Sequence, residues 1–417
     1  MEALRVEGGN RLEGRLRVDS AKNAVLPIMA AAVMADGPVT LDHMPHITDA
    51  VHMAEILEML GCTVRVEGER MVIDNSGMCR WDAPEELSKQ IRSSIFLLGP
   101  LLTRFRQATM TYPGGCEIGL RPIDLHLNGL RSLGVVIDEE GGLIRCDGRH
   151  MHAGEVHLDY PSVGATENVM MAAVLLDGTT VIHNAAREPE IVDLARFMNA
   201  MGADVRGAGS QYIVIRGVGK LGGTSWTPMP DRIVAGTLLA AAAITGGEIE
   251  LTNAPDGDMV AVTSKLREMG CRVDEEPGFL HLAAPARLHA FRQLQTQPHP
   301  GFPTDLQVQM LALLCTAQGT GMVVENVFEN RFTHVGDMTR MGAQIMCSGR
   351  TAVVTGVEKL SGANVTARDL RGGAALVLAG LRAEGVTVVD GAALIDRGYD
   401  ALENQLNRLG ANVRRMV

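Results

Sequence analysis

A hydrophobic residue, a glycine and a short strand-like run recur six times along this chain. They stand at Leu60-Gly61, Leu133-Gly134, Met201-Gly202, Met269-Gly270, Met341-Gly342 and Leu409-Gly410. Successive glycines lie 73, 68, 68, 72 and 68 residues apart, by subtraction of those numbers. A period this long restricts a chain to copies of one supersecondary unit stacked or wound together. Within each period an Ala/Leu/Met-rich helix is predicted to end at a glycine, as in KNAVLPIMAAAVMADG and SVGATENVMMAAVLLDG. A β-branched strand follows, such as TTVIHN or EIELTN, then a more polar helix such as EIVDLARFMNAMG. The glycine that ends the second helix opens the closing strands. The unit is therefore β-α-β-α-β-β, an α/β pattern. The first helices are apolar nearly all round, which predicts buried helices with sheets packed about them. Six units divide into two sets of three, and the Gly/Pro-rich stretch GGTSWTPMPD at 222–231 is the predicted break.

The first helices share polar starts: Lys22-Asn23, Ser162, Asp231-Arg232, Thr304-Asp305 and Asp369 with Arg371. Helix N-termini present free N–H groups and a positive dipole end, which suit phosphate or carboxylate ligands. Ser, Thr and Asp there also serve as plain N-caps. Lys22, Arg232 and Arg371 oppose the dipole and call for another reason.

The second unit breaks the pattern. Between Arg104 and Gly134 it is longer than its counterparts, and the extra residues are Pro113-Gly114-Gly115-Cys116-Glu117-Ile118-Gly119. Three glycines and a proline around one cysteine predict an exposed functional loop. Cys116 is the candidate reactive thiol. The other six cysteines are expected to be small buried hydrophobes. Arg92, Arg121 and Lys22 are expected to gather near the loop.

Bulk properties exclude several classes. The net charge of -11 argues against a general nucleic-acid or acidic-membrane binder. No apolar run reaches the roughly 18 residues needed to span a bilayer. The start MEALRVEGGNRLEG carries no apolar signal stretch, so a cytoplasmic protein with reduced thiols is expected. No metal spacing occurs among the seven cysteines and 12 histidines, and neither metal nor cofactor is expected. Gly217-Val-Gly219-Lys-Leu-Gly222 matches G-x-G-x-x-G but opens no helix, so it reads as a turn.

The segments AKNAVLPI at 21–28, PGGCEIGLRPIDLH at 113–126, PSVGATEN at 161–168, FPTDLQ at 302–307, FENRFTHV at 328–335, DLRGGAALVLAG at 369–380 and IDRGYDALE at 395–403 carry a resemblance from end to end. The chain resembles the UDP-N-acetylglucosamine enolpyruvyl transferases. The wider superfamily, with enolpyruvylshikimate phosphate synthase, shares the sixfold repeat but lacks the Cys loop. The resemblance implies a two-domain inside-out α/β barrel with three units per domain. It places 22–229 in an N-terminal domain, 1–21 and 230–417 in a C-terminal domain, and the active site in the cleft between them. It implies transfer of the enolpyruvyl group of phosphoenolpyruvate to the 3-hydroxyl of the UDP-sugar, in peptidoglycan synthesis. Cys116 matches the family's acid, the target of fosfomycin, and Asp305 the proposed proton acceptor. Lys22, Arg121 and Arg397 match cationic contacts to phosphoenolpyruvate. Asn23, Arg92, Arg121, Pro122, Ile123, Asp124, Leu125, Ser162, Val163, Asp305 and Val327 match UDP-sugar contacts, Arg331 is counted as substrate-binding, and Asp369 and Arg371 match further polar groups of the site. Tyr160, Phe96, Gly372 and Thr333 depart from the usual pattern without touching the acid or base. Two alternatives are a shikimate-pathway transferase and a non-catalytic UDP-sugar-binding paralogue. The Cys loop counts against the first and the retained Lys22, Cys116, Asp305 and Arg397 against the second.

Overall fold

The computed structural model describes residues 2–83, 85–88, 91–112, 123–255 and 257–416, and of Glu85 and Arg92 the backbone alone. The chain forms two compact units, one lying between Ser20 and Met229, the other built from the segment ending at Asp19 and the segment beginning at Pro230.

In the second of these units, helices Arg232–Thr245, Thr304–Leu314 and Leu370–Arg382 pack on one another. Their sequences are apolar on every face, and burial follows: only Thr245, Thr304, Asp305 and Arg382 escape it. Three four-stranded sheets accompany them. Asn364–Thr366 runs parallel to Val386–Asp390, which pairs antiparallel with Ala3–Glu7, itself antiparallel to Asn412–Met416. Glu13–Arg17, Glu248–Thr252, Phe279–Ala283 and Arg272–Glu276 repeat that order, as do Gln293–Gln295, Thr320–Val324, Thr351–Thr355 and Gln344–Ser348. Burial alternates along Glu248–Thr252, Thr320–Val324 and Val386–Asp390, so each sheet has one buried face.

The unit between Ser20 and Met229 uses the same scheme. Ser225–Trp226, Val39–Leu41, Arg70–Asp74 and Thr63–Glu67 form one sheet, and Glu155–His157, Thr179–His183, Tyr212–Arg216 and Asp204–Arg206 another, each with the parallel-antiparallel-antiparallel order. A third has three antiparallel strands, Gln107–Thr111, Leu143–Asp147 and Val136–Glu140. There a lone parallel bridge from Asp82 to Thr109 stands where the other sheets have a strand. Helices Lys22–Ala32 and Val163–Ala173 are buried beyond their first residues.

The six glycines of the repeat all adopt left-handed backbone, with φ of 101, 83, 106, 95, 98 and 96° at Gly61, Gly134, Gly202, Gly270, Gly342 and Gly410. A side chain there would be strained, which is why the signal recurs as glycine. Gly217 has a different reason. A Cβ on it would stand 1.6 Å from the carbonyl oxygen of Leu176, so the G-x-G-x-x-G match records close backbone packing.

One expectation is extended and another corrected. The stretch 222–231 contains the boundary between the units, at Met229 and Pro230, but it is more than a linker: Leu221–Gly222 pairs with Ala35–Asp36, and Ser225–Trp226 supplies a strand beside Val39–Leu41. Backbone hydrogen bonding overrides its Gly/Pro composition. The six other cysteines are not all buried, because Cys79 and Cys347 are exposed. Burial pushes the thiols of Cys62, Cys146, Cys271 and Cys315 up to about 12, where they are poor nucleophiles.

Candidate active site

Cys116, Arg121 and Pro122 lie outside the described residues, as does the side chain of Arg92. The other candidate residues fall into two groups, one in each unit.

Between Ser20 and Met229, Lys22 is the first residue of its helix, where no side chain caps the N-terminus. Its Nζ lies 2.7 Å from Asp49 Oδ2, with the two side chains 11% and 2% exposed. Asp49 is thus one reason a lysine can stand against the dipole. Sequence reading missed it, since an acid in the first turn of Thr48–Met59 looks like ordinary dipole matching. The helix of Lys22 packs against the turn Arg92–Leu97, which positions Arg92. Asn168 ties the remaining parts together. Its Oδ1 accepts from Gly99 N–H at 2.9 Å, and its Nδ2 lies 2.9 Å from Ile95 O and 2.8 Å from His126 Nδ1. His126 belongs to the helix Asp124–Ser132, so Ile123, Asp124 and Leu125 are fixed beside the start of Val163–Ala173. Ser162 caps that start, accepting from Ala165 N–H at 3.4 Å.

Glu167 lies farther along the same helix, wholly buried, and neither carboxylate oxygen has a hydrogen-bond partner among the described residues. Burial, then the charges of Glu190 and Glu188, hold its carboxyl well above the usual range. The folded chain thus keeps a proton that the unfolded chain gives up above pH of about 4.5. Stability should fall by about 1.4 kcal/mol for each pH unit above that point until the folded group ionises. Glu167→Gln is expected to raise the melting temperature at pH 8 and to leave it unchanged at pH 4, as calorimetry at both values would show.

In the other unit, Asp305 stands in the first turn of Thr304–Leu314, 24% exposed at its side chain. Its Oδ1 accepts from Arg331 Nη2 at 2.5 Å, and its Oδ2 from Arg371 Nε and Nη2 at 3.4 and 3.3 Å. Both arginine side chains are nearly buried, at 2% and 3% exposure. Two guanidinium groups therefore fix the carboxylate, one on each oxygen. Burial alone would weaken the charge of Arg371, but the Tyr399, Asp305 and Asp231 beside it hold its pKa above the ordinary value. The Tyr399 ring lies 5.2 Å from that guanidinium. The Tyr399 hydroxyl lies 2.9 Å from Thr237 Oγ1, and the Gln309 amide 3.2 Å from both. One buried polar group thus joins all three central helices beneath Asp305. Arg397, half-buried, lies two residues before Tyr399.

Asp369 is an N-cap: its Oδ1 accepts from Arg371 and Gly372 N–H at 3.0 and 2.9 Å, and its Oδ2 from Thr333 Oγ1 at 3.1 Å. Asp231 likewise caps through Ile233 and Val234 N–H at 2.7 and 3.0 Å. Ser162, Asp231 and Asp369 thus act as the plain N-caps that Ser and Asp at helix starts suggest, and their side chains occupy N–H groups that an anion would otherwise use. Beside Asp369, His334 is fully buried, and neither ring nitrogen is hydrogen-bonded among the described residues. Burial pushes it down to about 4, Arg331 adds to that and Asp369 opposes it, so the ring is neutral near pH 7.

This geometry is a preorganised carboxylate with two fixed cations in one unit, and a lysine-carboxylate pair beside ordered helix starts in the other. It suits proton transfer beside an anionic reactant. The sequence profile of EPSP synthase (3-phosphoshikimate 1-carboxyvinyltransferase) matches residues 6–406. The chain belongs to this family. Within the family it is 49% identical over 417 residues to UDP-N-acetylglucosamine 1-carboxyvinyltransferase 2 of Caldanaerobacter subterraneus, covering 100% of both chains. It is 51% identical to UDP-N-acetylglucosamine 1-carboxyvinyltransferase 1 of Symbiobacterium thermophilum, covering 99% of this chain and 94% of that one. Among solved structures, the enolpyruvyl transferase NikO of Streptomyces tendae superposes with a TM-score of 0.90 at 25% identity, covering 100% and 99%. EPSP synthase of Acinetobacter baumannii shares the fold, with a TM-score of 0.76 at 17% identity over 100% of each chain.

Lys22→Ala is expected to separate the ion pair with Asp49 from the phosphoenolpyruvate contact that the resemblance implies for Lys22. Removing the lysine takes the 2.7 Å ion pair from the nearly buried Asp49, at an expected cost of about 3 kcal/mol. The double variant Lys22→Ala/Asp49→Ala is expected to recover most of that stability in denaturant unfolding. It should recover none of the phosphoenolpyruvate affinity, measured by calorimetry, while UDP-N-acetylglucosamine affinity changes far less in either variant.

Proposed function

We propose that this chain transfers the enolpyruvyl group of phosphoenolpyruvate to the 3-hydroxyl of UDP-N-acetylglucosamine and releases phosphate, the first committed step of peptidoglycan synthesis. The observation that carries this reading is 49% identity across the whole of both chains to a relative named for that reaction. The fold goes with it as two inside-out α/β barrels of three repeat units each, in a cytoplasmic enzyme that needs no metal or cofactor.

The chemistry is an addition followed by an elimination. Cys116 delivers a proton to the methylene carbon of phosphoenolpyruvate while the sugar oxygen bonds to the neighbouring carbon. Asp305 takes the proton leaving the 3-hydroxyl. Arg331 holds Asp305 Oδ1 at 2.5 Å and Arg371 holds Oδ2 at 3.3–3.4 Å, which fixes the carboxylate for that transfer. Loss of a methyl proton and cleavage of the carbon–oxygen bond to phosphate then restore the double bond. Lys22, Arg121 and Arg397 hold the phosphate and carboxylate of phosphoenolpyruvate. Asn23, Arg92, the 121–125 stretch, Ser162, Val163, Val327 and Arg331 hold the UDP-sugar, with Asp369 and Arg371 ordering the polar surroundings. Lys22 and Asp305 belong to different units, so neither unit alone is expected to turn over substrate.

Mass spectrometry of the reaction mixture tests the reading. A product heavier than UDP-N-acetylglucosamine by one carboxyvinyl group supports it. An unmodified sugar nucleotide after prolonged incubation with phosphoenolpyruvate and active, folded protein contradicts it.

A further inference from the structure

Glu325 closes the strand Thr320–Val324 and is 1% exposed. A buried carboxylate accepts hydrogen bonds and donates none, so it needs donors on both oxygens. Four reach it. Oε1 accepts from Thr296 Oγ1 at 2.9 Å, from Val327 N–H at 2.8 Å and from Phe328 N–H at 3.0 Å. Oε2 accepts from Thr304 Oγ1 at 2.9 Å. Asn326 braces the same point, donating its N–H to Thr296 Oγ1 at 2.8 Å and its side-chain amide to Thr296 O at 3.2 Å.

Three separate stretches of chain therefore meet on one side chain. Thr304 directly precedes Asp305. Val327 and Phe328 open the turn that leads to Arg331, and the Phe328 ring lies 5.4 Å from the Arg331 guanidinium. Thr304 donates its hydroxyl to Glu325, and its helix has no side-chain cap. Both partners of the 2.5 Å Arg331–Asp305 contact thus hang on one carboxylate.

We propose that Glu325 is a positioning residue for the reaction, setting Asp305, Arg331 and the Val327 turn in mutual register. The inference rests on the enolpyruvyl-transfer reading. Glu325 touches none of the reacting groups, so its effect must pass through the backbone it anchors. A misplacement of about 1 Å at a reacting group costs about 10²-fold in rate.

The test measures phosphate release, each KM, and hydrogen exchange at the Val327 and Phe328 amides. Glu325→Ala is expected to lower kcat about 10²-fold. It should also raise the KM for UDP-N-acetylglucosamine several-fold, leave the KM for phosphoenolpyruvate unchanged and speed exchange at both amides. Glu325→Gln keeps the size and three acceptor bonds if its oxygen replaces Oε1, with Thr304 able to accept from its amide, so it should restore most of the activity. Thr304→Val removes a single bond and should lower kcat with little change in either KM. It also carries the test if Glu325→Ala does not fold. A Thr304→Val enzyme with wild-type kcat, or a Glu325→Ala enzyme whose two KM values shift together, overturns the proposal. If the wild type itself releases no phosphate with these substrates, the reading and the proposal both fall; if it does and the variants match it, only the proposal falls.

Discussion

Asp305→Asn should leave a folded enzyme whose kcat is about 10³-fold lower, within the range expected for losing a general base. The amide keeps the size of the carboxylate and can still accept from Arg331, but it cannot take the proton of the sugar hydroxyl. Both variants lose the counter-charge of Arg331 and Arg371, which are 2% and 3% exposed, but Asp305→Ala is expected to be equally slow and less stable still, because it also removes the acceptor that the amide keeps for Arg331 and leaves a cavity. The separation is measurable: steady-state kinetics should group the two variants, and denaturant unfolding should divide them. An Asp305→Asn enzyme with near wild-type kcat would remove Asp305 from the proton path.

Cys116→Ala should lose a comparable factor, about 10²–10⁴, through loss of the acid. Cys116→Asp should recover activity, with the optimum moved to lower pH. A free cysteine holds its proton to about pH 8.5 and a free aspartic acid only to about 3.9, so the protonated fraction of the replacement rises as pH falls. The aspartate variant should also escape alkylation by the epoxide fosfomycin, since it lacks a soft sulfur. Peptide mapping checks the site. Cys79 and Cys347 are the exposed competitors, whereas the four buried thiols are held at about 12. Complete inactivity of folded Cys116→Asp at every pH, or alkylation centred on Cys79 or Cys347, would contradict the assignment.

Local pattern carried much of the architecture. Six glycines at a regular spacing anticipated six left-handed turns, because only the backbone requirement is periodic there. Apolar helices such as Arg232–Thr245 announced their own burial. The charges of Lys22 and Arg371 at helix starts correctly signalled an unmet need, but not their carboxylate partners. Asp49 and Asp305 come from other elements, and side-chain pairing between elements leaves no mark on local periodicity. The same holds for Glu325, which reads in sequence as the polar end of a strand, and for Tyr399 beneath Arg371. Ser225–Trp226 is the opposite case: its Gly/Pro-rich setting marks the break between the units but hides that its backbone groups complete a sheet edge.

The choice of acceptor tests the central claim most directly. Phosphate release from phosphoenolpyruvate should be followed with UDP-N-acetylglucosamine in one reaction and shikimate 3-phosphate in a parallel one, using the same enzyme preparation. The account predicts release that depends on the UDP-sugar, with none above background from shikimate 3-phosphate. Release with shikimate 3-phosphate alone, or with neither acceptor, would contradict it.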